Sequence, residues 1–137
     1  MQQLTQEILR LCREYGECRV EVERMEEARR VKNALESVCS MARQRLLSDP
    51  ALLLALLDAC EVTRDEGMLQ EVLDVVGRNL DRLAVSVESV KLLACCYYYV
   101  EEEECAERAR RMLEELRKLG MGEEELADAE TILEELT

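Results

Sequence analysis

The chain contains no histidine, phenylalanine or tryptophan and only one proline among its 137 residues. Without histidine it lacks the usual general base, the Ser-His and Cys-His nucleophile pairs and the Glu-x-x-His ligands of a di-iron bundle. Its five glycines are scattered, so the sequence has no glycine-rich loop for binding phosphate. Because these absences exclude most common active sites, we predict a protein that is not an enzyme and uses no cofactor.

Cysteine is abundant but is not grouped in the way that metal sites require. A zinc site needs thiolates at short spacings, and no Cys-x-x-Cys occurs. Neighbouring cysteines on a helix would point about 100° apart. We therefore predict no metal site and interpret the cysteines as small core residues of a protein that works in a reducing compartment, the cytoplasm or nucleus. The seven are Cys12, Cys18, Cys39, Cys60, Cys95, Cys96 and Cys105.

Long apolar runs are also missing. The longest, Leu92–Val100, is far short of the roughly 20 residues that cross a membrane. Charged residues appear from Glu7 onward, which is not the pattern of a secretory signal. We predict neither a membrane span nor a signal peptide.

Basic side chains are fewer than acidic ones, 18 against 31, and the formal net charge is −13. Such a charge opposes contact with nucleic-acid phosphates, whose binding depends on Lys and Arg. Residues 1–49 carry nine acidic and nine basic side chains, residues 50–84 carry seven and three, and residues 85–137 carry fifteen and six. The excess toward the C-terminus is either a solvated outer surface or an acidic face that steers a basic partner.

The spacing of apolar residues at three and four positions predicts seven α-helices. The first runs from about Gln3 to Tyr15 and stops near Gly16. The second continues to about Leu47. Its opening residues, 18–23, alternate in a way that suits a strand, but no second strand is available for pairing, so we interpret them as helix.

The third helix has the clearest start, because Asp49 can cap it and Pro50 suits its first turn. This helix and the fifth, which Ser86 can cap, are apolar on almost every side, as expected of helices with neighbours all round. A turn is predicted at 63–67. The fourth helix carries its stripe from Leu69 to Leu83, and its internal Gly77 is interpreted as a point of close backbone approach.

The last two helices follow the acidic run Glu101–Glu104. The sixth carries its apolar stripe to Leu119 and ends with basic residues before Gly120, which are helix-stop signals. The seventh is amphipathic and closes the chain.

An internal repeat relates the middle helices. With an offset of 36 residues, Leu56–Cys60 matches Leu92–Cys96, and the same register pairs the stripes of the fourth and sixth helices. Upstream the best offset is 38. Repeats of this length at helical spacing are typical of stacked helical hairpins. We predict one all-α domain, 1–137, of about seven antiparallel helices forming a short α-solenoid or helical bundle. Its hairpins are predicted at about 3–47, 50–84 and 87–119, with a terminal helix at 123–136.

Three resemblances accompany this pattern. The hairpins resemble the tetratricopeptide, HEAT and armadillo class of helical repeats, which implies a non-enzymatic binding protein. Arg30–Ser37 resembles the long lid helix of the heat-shock 70-kDa chaperone family, and Lys32–Ser37 carries most of that likeness. The segment Leu69–Asp81 resembles the pro-apoptotic helix that binds in the groove of cell-death regulators, although Arg78 stands where that motif has an aspartate.

Three consecutive tyrosines, Tyr97, Tyr98 and Tyr99, are the candidate partner-binding residues. Three neighbouring side chains on one helix cannot all be buried, so at least one aromatic face should be available for contact. Core filling remains an alternative for two of them. We expect a module that binds a peptide or helix of a partner protein. The negative net charge favours a basic partner, and homo-oligomerisation stays open. The alternative is an engineered helical protein with no natural ligand, which the small residue set favours.

Overall fold

The computed structural model describes residues 2–43 and 49–136. Within these residues the chain contains seven α-helices, two short 3₁₀ turns and no strand. The predicted fold class, an all-α protein of about seven helices packed as a helical bundle, is confirmed. The helices are α1 Gln2–Cys18, α2 Met25–Arg43, α3 Pro50–Thr63, α4 Glu66–Arg78, α5 Val87–Val100, α6 Glu103–Lys118 and α7 Glu123–Leu136.

The contacts divide the chain into two compact units, Met1–Val72 and Leu73–Thr137. In the first unit α1 packs against both α2 and α3, and α2 also contacts α3. In the second unit α5 packs against both α6 and α7, and α6 also contacts α7, where Arg117 and Glu130 form an ion pair. The predicted organisation as a single domain stays a prediction.

The beginning of the chain differs from its predicted boundaries. Helix α1 continues through Gly16 to Cys18. Among the described residues, no atom lies within 4 Å of a Cβ placed at this half-buried glycine, and the hydrogen-bond ladder extends as far as the amide of Arg19, which donates to the Tyr15 carbonyl at 2.9 Å. The predicted helix over 18–23 is wrong beyond its first residue. A turn follows, and a 3₁₀ turn occupies Val22–Arg24. The predicted end of α2 near Leu47 lies outside the described residues.

Helix α3 begins as predicted. The Oδ1 atom of Asp49 accepts a hydrogen bond from the amide of Ala51 at 3.1 Å, and Pro50 occupies the first turn. The predicted turn at 63–67 is shorter than expected. Only Arg64 and Asp65 separate α3 from α4, because the Oδ1 atom of Asp65 already accepts from the amide of Met68 at 3.0 Å and starts the next helix.

Helix α4 is shorter than predicted and ends at Arg78, where a 3₁₀ turn at Leu80–Arg82 takes over. Leu80 and Asp81 therefore do not extend the α-helical face on which the resemblance to the pro-apoptotic helix depends. The interpretation of Gly77 as a close backbone approach is also wrong. In the described part of the chain, no atom lies within 4 Å of a Cβ placed at this exposed position.

Helix α6 ends with the predicted glycine. Gly120 has a φ of +87°, its amide donates to the Arg117 carbonyl at 3.0 Å, and the amide of Met121 donates to the Leu116 carbonyl at 3.2 Å. This pair of hydrogen bonds is the Schellman motif. Leu119, predicted in the apolar stripe, is instead 78% exposed, because the chain leaves the helix at this residue.

The internal repeat has a period of 37 residues, one more than predicted. Helices α3 and α5 have 14 residues each, and both their N-caps and their left-handed C-caps stand 37 positions apart. The 36-residue register would pair exposed Asp58 with fully buried Ala94. The 37-residue register pairs buried with buried side chains, as in Leu53 with Val90, Leu56 with Leu93, Ala59 with Cys96, Met68 with Cys105, Val72 with Ala109 and Val76 with Leu113.

Helix α7 continues the same period. Its buried residues Leu126, Ala129 and Leu133 lie 37 positions after Ser89, Leu92 and Cys96 of α5. The upstream offset of 38, in contrast, pairs fully buried Leu35 with half-buried Leu73 and fails as a structural register. The repeat is therefore a property of α3 to α7.

Candidate functional site

The three predicted tyrosines stand at the C-terminal end of α5. Tyr98 is 62% exposed, whereas Tyr97 and Tyr99 are half-buried. None of the three is a core residue, so the alternative of core filling for two of them is wrong. The core positions of this part of α5 are taken by smaller side chains, Ala94 and Cys96.

The aromatic rings are held in place by their neighbours. The rings of Tyr98 and Tyr99 meet edge to face, with centroids 5.2 Å apart and planes at 76°. The hydroxyl of Tyr97 donates to Oε1 of Glu103 at 3.3 Å. The nearby Glu103 carboxylate, together with burial, raises the pKa of Tyr97. These contacts order the aromatic surface, and the raised pKa of Tyr97 keeps its hydroxyl protonated at neutral pH.

Four exposed carboxylates border these rings. Glu101 ends α5 in the left-handed conformation, with a φ of 53°, and Glu102, Glu103 and Glu104 lead into α6. Val100, which lies between the rings and the carboxylates, is 38% exposed. We call the surface formed by Tyr97–Val100 and Glu101–Glu104 the tyrosine edge. It combines aromatic faces with negative charge, the combination that attracts Lys and Arg side chains.

Sequence reasoning missed a groove between α1 and α3, with a cavity of about 790 Å³. Its apolar wall includes Leu9, which is 38% exposed, and Val62. The only sequence signal is that Leu9 lies beside the apolar stripe of α1 rather than within it. The lining residues are Gln6, Leu9, Arg10, Cys12, Arg13, Asp58, Glu61 and Val62.

Desolvation changes the acidity of two groups in the groove between α1 and α3, the partly solvent-exposed Asp58 and the buried Cys12. Desolvation raises the pKa of Asp58, and the negative charge of Glu61 adds to the effect. Desolvation also raises the pKa of the Cys12 thiol to about 11, with a further contribution from Asp58. On the same groove Arg10 pairs with Glu14 at 2.6 Å and with Glu7 at 2.5 Å. The Arg10 guanidinium is therefore already paired with carboxylates of its own helix.

The cysteines lie where the sequence interpretation expects them. Six are buried and Cys95 is half-buried. Burial is the main cause that raises the pKa of Cys18, Cys96 and Cys105. A thiol with a raised pKa is protonated at neutral pH and is a poor nucleophile. These side chains therefore suit packing better than covalent catalysis.

Two further findings concern the described part of the chain. Residues 2–43 and 49–136 contain no group of three or more His, Cys, Asp and Glu side chains placed to hold a metal ion. Nor does any helix within them have the length and apolar character that crossing a membrane requires.

Comparison of the chain with models of protein families, with curated proteins and with solved structures finds no match. The resemblances to helical-repeat proteins, to the chaperone lid and to the pro-apoptotic helix therefore depend only on the residues that carry them. The function has to be argued from the surfaces of the molecule itself.

Proposed function

We propose that the chain is a non-enzymatic interaction module that binds a basic peptide or helix of a partner protein at the tyrosine edge. The observation that carries this proposal is the Tyr98 ring, which is 62% exposed and yet fixed against Tyr99. A large aromatic face that is already ordered loses little conformational entropy when a partner covers it. Tyr97 and Tyr99 flank it as supporting contacts.

The negative charge beside the tyrosines supports a basic partner. The exposed carboxylates of Glu101–Glu104 and the −13 net charge attract basic segments and repel acidic ones. A Lys or Arg over an exposed aromatic ring gains about 0.5–1 kcal/mol, and nearby carboxylates add electrostatic attraction. The raised thiol pKa values support a role without covalent chemistry.

The test uses a labelled lysine- and arginine-rich helical peptide, with an acidic peptide of equal length as its counterpart. We expect the basic peptide to bind and Tyr98→Ala to weaken binding about fivefold, the equivalent of about 1 kcal/mol. Tyr98→Phe keeps the ring and should bind like the parent. Fluorescence anisotropy measures all of these affinities.

Leu119→Ala is the matched control, because it also shortens an exposed apolar side chain of the second unit, 78% exposed, away from the tyrosine edge. It should leave the affinity unchanged. Equal affinity of the parent and Tyr98→Ala, or equal binding of the acidic peptide, would contradict the proposal.

The alternative is an engineered helical protein with no natural ligand. Idealised designs avoid non-glycine residues with positive φ. Here Arg64 and Glu101 have φ values of 57° and 53°. This irregularity supports a natural module. Thermal unfolding separates the two, since designs commonly melt above about 90 °C and mesophile domains near about 50 °C. Location in the cytoplasm or nucleus and self-association remain predictions.

A further inference from the structure

A basic cavity of about 490 Å³ lies within the second unit, among the end of α4, the 3₁₀ turn that follows it and helix α6. Four arginines and two carboxylates line it, so its walls carry an excess of positive charge although the whole chain is strongly acidic. The charged lining residues are Arg78, Asp81, Arg82, Glu104, Arg108 and Arg111.

The arginines reach the cavity from three elements. Arg78 is the last residue of α4, and its Nε donates to the carbonyl of Asp74 at 3.3 Å. Arg82 ends the 3₁₀ turn. Arg108 and Arg111 are three residues apart and so share one face of α6. Gly77 adds no side chain to the wall, which leaves the space between them open.

Within residues 2–43 and 49–136, the Nε donor of Arg108 has no acceptor. This atom is buried and makes no hydrogen bond to any described residue. An unsatisfied buried donor costs about 1–3 kcal/mol, and more when it belongs to a charged group. A ligand whose oxygen accepts a hydrogen bond from this Nε would remove the free-energy cost.

We propose that this cavity binds the phosphate group of a phosphate monoester. Guanidinium groups match phosphate oxygens with paired N–H donors, and several arginines together neutralise a dianion. The volume lies within the range of small-molecule sites, which run from about 300 to 1,000 Å³. It therefore leaves room for the organic group that carries the phosphate.

The acidic character of the rest of the chain does not prevent this binding. Exposed charges farther away than about 8 Å are largely screened at physiological ionic strength, so the arginines nearest the ligand dominate. A compact dianion inside the cavity feels this local field. A long polyanion would extend beyond the cavity to the acidic surface, which would repel it.

Isothermal titration calorimetry of the full chain tests the proposal with two phosphate monoesters, a phosphoserine peptide and glucose 6-phosphate. At least one of them should bind saturably with one site per chain, and the tighter of the two identifies the source of the phosphate. The unphosphorylated peptide and glucose should not bind. Absence of saturable binding by both monoesters would overturn the proposal.

Arg108→Gln should weaken the binding about tenfold, because it removes one charged, paired contact. Arg29→Gln is the matched control, since it removes the same charge from an exposed position on α2 and should change the affinity less than about twofold. If both variants weakened binding equally, the effect would be general electrostatics and the cavity would not be the site.

Arg82→Gln keeps the test decisive if Arg108→Gln fails to fold. Arg82 is exposed, so its replacement should leave the circular dichroism spectrum unchanged and still weaken binding several-fold. Unchanged affinity in this folded variant would count against the cavity. The cavity shares Glu104 with the tyrosine edge, but none of its four arginines belongs to that surface. Tyr98→Ala should therefore bind the monoester normally.

Discussion

Helices α3 and α5 are two versions of the same element. Both have 14 residues, an N-cap side chain that accepts a backbone hydrogen bond, and a non-glycine C-cap in the left-handed conformation. Their buried faces match at 37 residues. They differ at the C-terminal end, where Cys60–Thr63 of α3 corresponds to Tyr97–Val100 of α5.

The difference shows which positions of the repeat are free to change. Buried positions in both helices carry side chains that fit a packed core, and substitutions there are limited by volume. Exposed positions carry no such limit. In the 37-residue register exposed Glu61 corresponds to exposed Tyr98, and a large aromatic ring in water is the less expected choice. The proposed binding surface is therefore where the second copy departs from the first.

The largest expected effect tests the register itself. The two registers assign Asp58 to different residues of α5. The 36-residue register aligns it with fully buried Ala94, and the 37-residue register aligns it with half-buried Cys95. We expect Ala94→Asp to lower the free energy of unfolding by more than about 3 kcal/mol, since it buries an unpaired carboxylate. Cys95→Asp should cost less than about 1 kcal/mol. Urea denaturation measures both, and a larger loss from Cys95→Asp than from Ala94→Asp would support the 36-residue register, which pairs Cys95 with buried Ala59.

A smaller effect concerns the turns that follow the two helices. Asp65 caps α4 through the Met68 amide, whereas Glu102, at the corresponding position before α6, makes no side-chain capping hydrogen bond. We expect Glu102→Asp to raise the free energy of unfolding by about 1 kcal/mol and Asp65→Ala to lower it by a similar amount. Glu104→Asp, two residues farther into α6, is the control that thermal unfolding should show unchanged.

The smallest effect is the pH dependence of Asp58. Desolvation raises its pKa in the folded state above the ordinary value of 3.8, so folding favours the protonated carboxyl. That stabilisation is present at low pH and is lost as pH rises through the folded pKa. Asp58→Asn should therefore raise Tm at about pH 7, and the gain should disappear as pH falls toward about 3.

Asp128→Asn is the control for this pH series, since Asp128 lies exposed on α7. It removes the same charge without removing a carboxyl from the groove between α1 and α3. An equal gain in Tm from both variants at neutral pH would show that the effect is general charge reduction. A gain from Asp58→Asn that stays constant from low to neutral pH would show that titration of Asp58 does not cause it.

Local signals predicted the elements well. The start of α3 at Asp49 and Pro50 and the end of α6 at Gly120 are correct, because capping depends on residues within one turn. The end of α4 was missed, because Leu80 and Leu83 keep the apolar spacing after the backbone has changed to a 3₁₀ turn and then extended. The sequence pointed to the three tyrosines, but it did not predict the edge-to-face packing of Tyr98 and Tyr99 or the hydrogen bond from Tyr97 to Glu103.

The all-α class and the seven helices followed from sequence alone, because helical periodicity and capping are properties of neighbouring residues. Tertiary structure decided the rest. The apolar residues of α3 and α5 are similar enough to be aligned at an offset of 36 or 37 residues. Only the burial of each side chain in the structure distinguishes the two offsets. The arginine cavity joins residues some 26 to 33 positions apart, Arg78 and Arg82 with Arg108 and Arg111. No local pattern could place them together, since packing of separate helices sets that proximity.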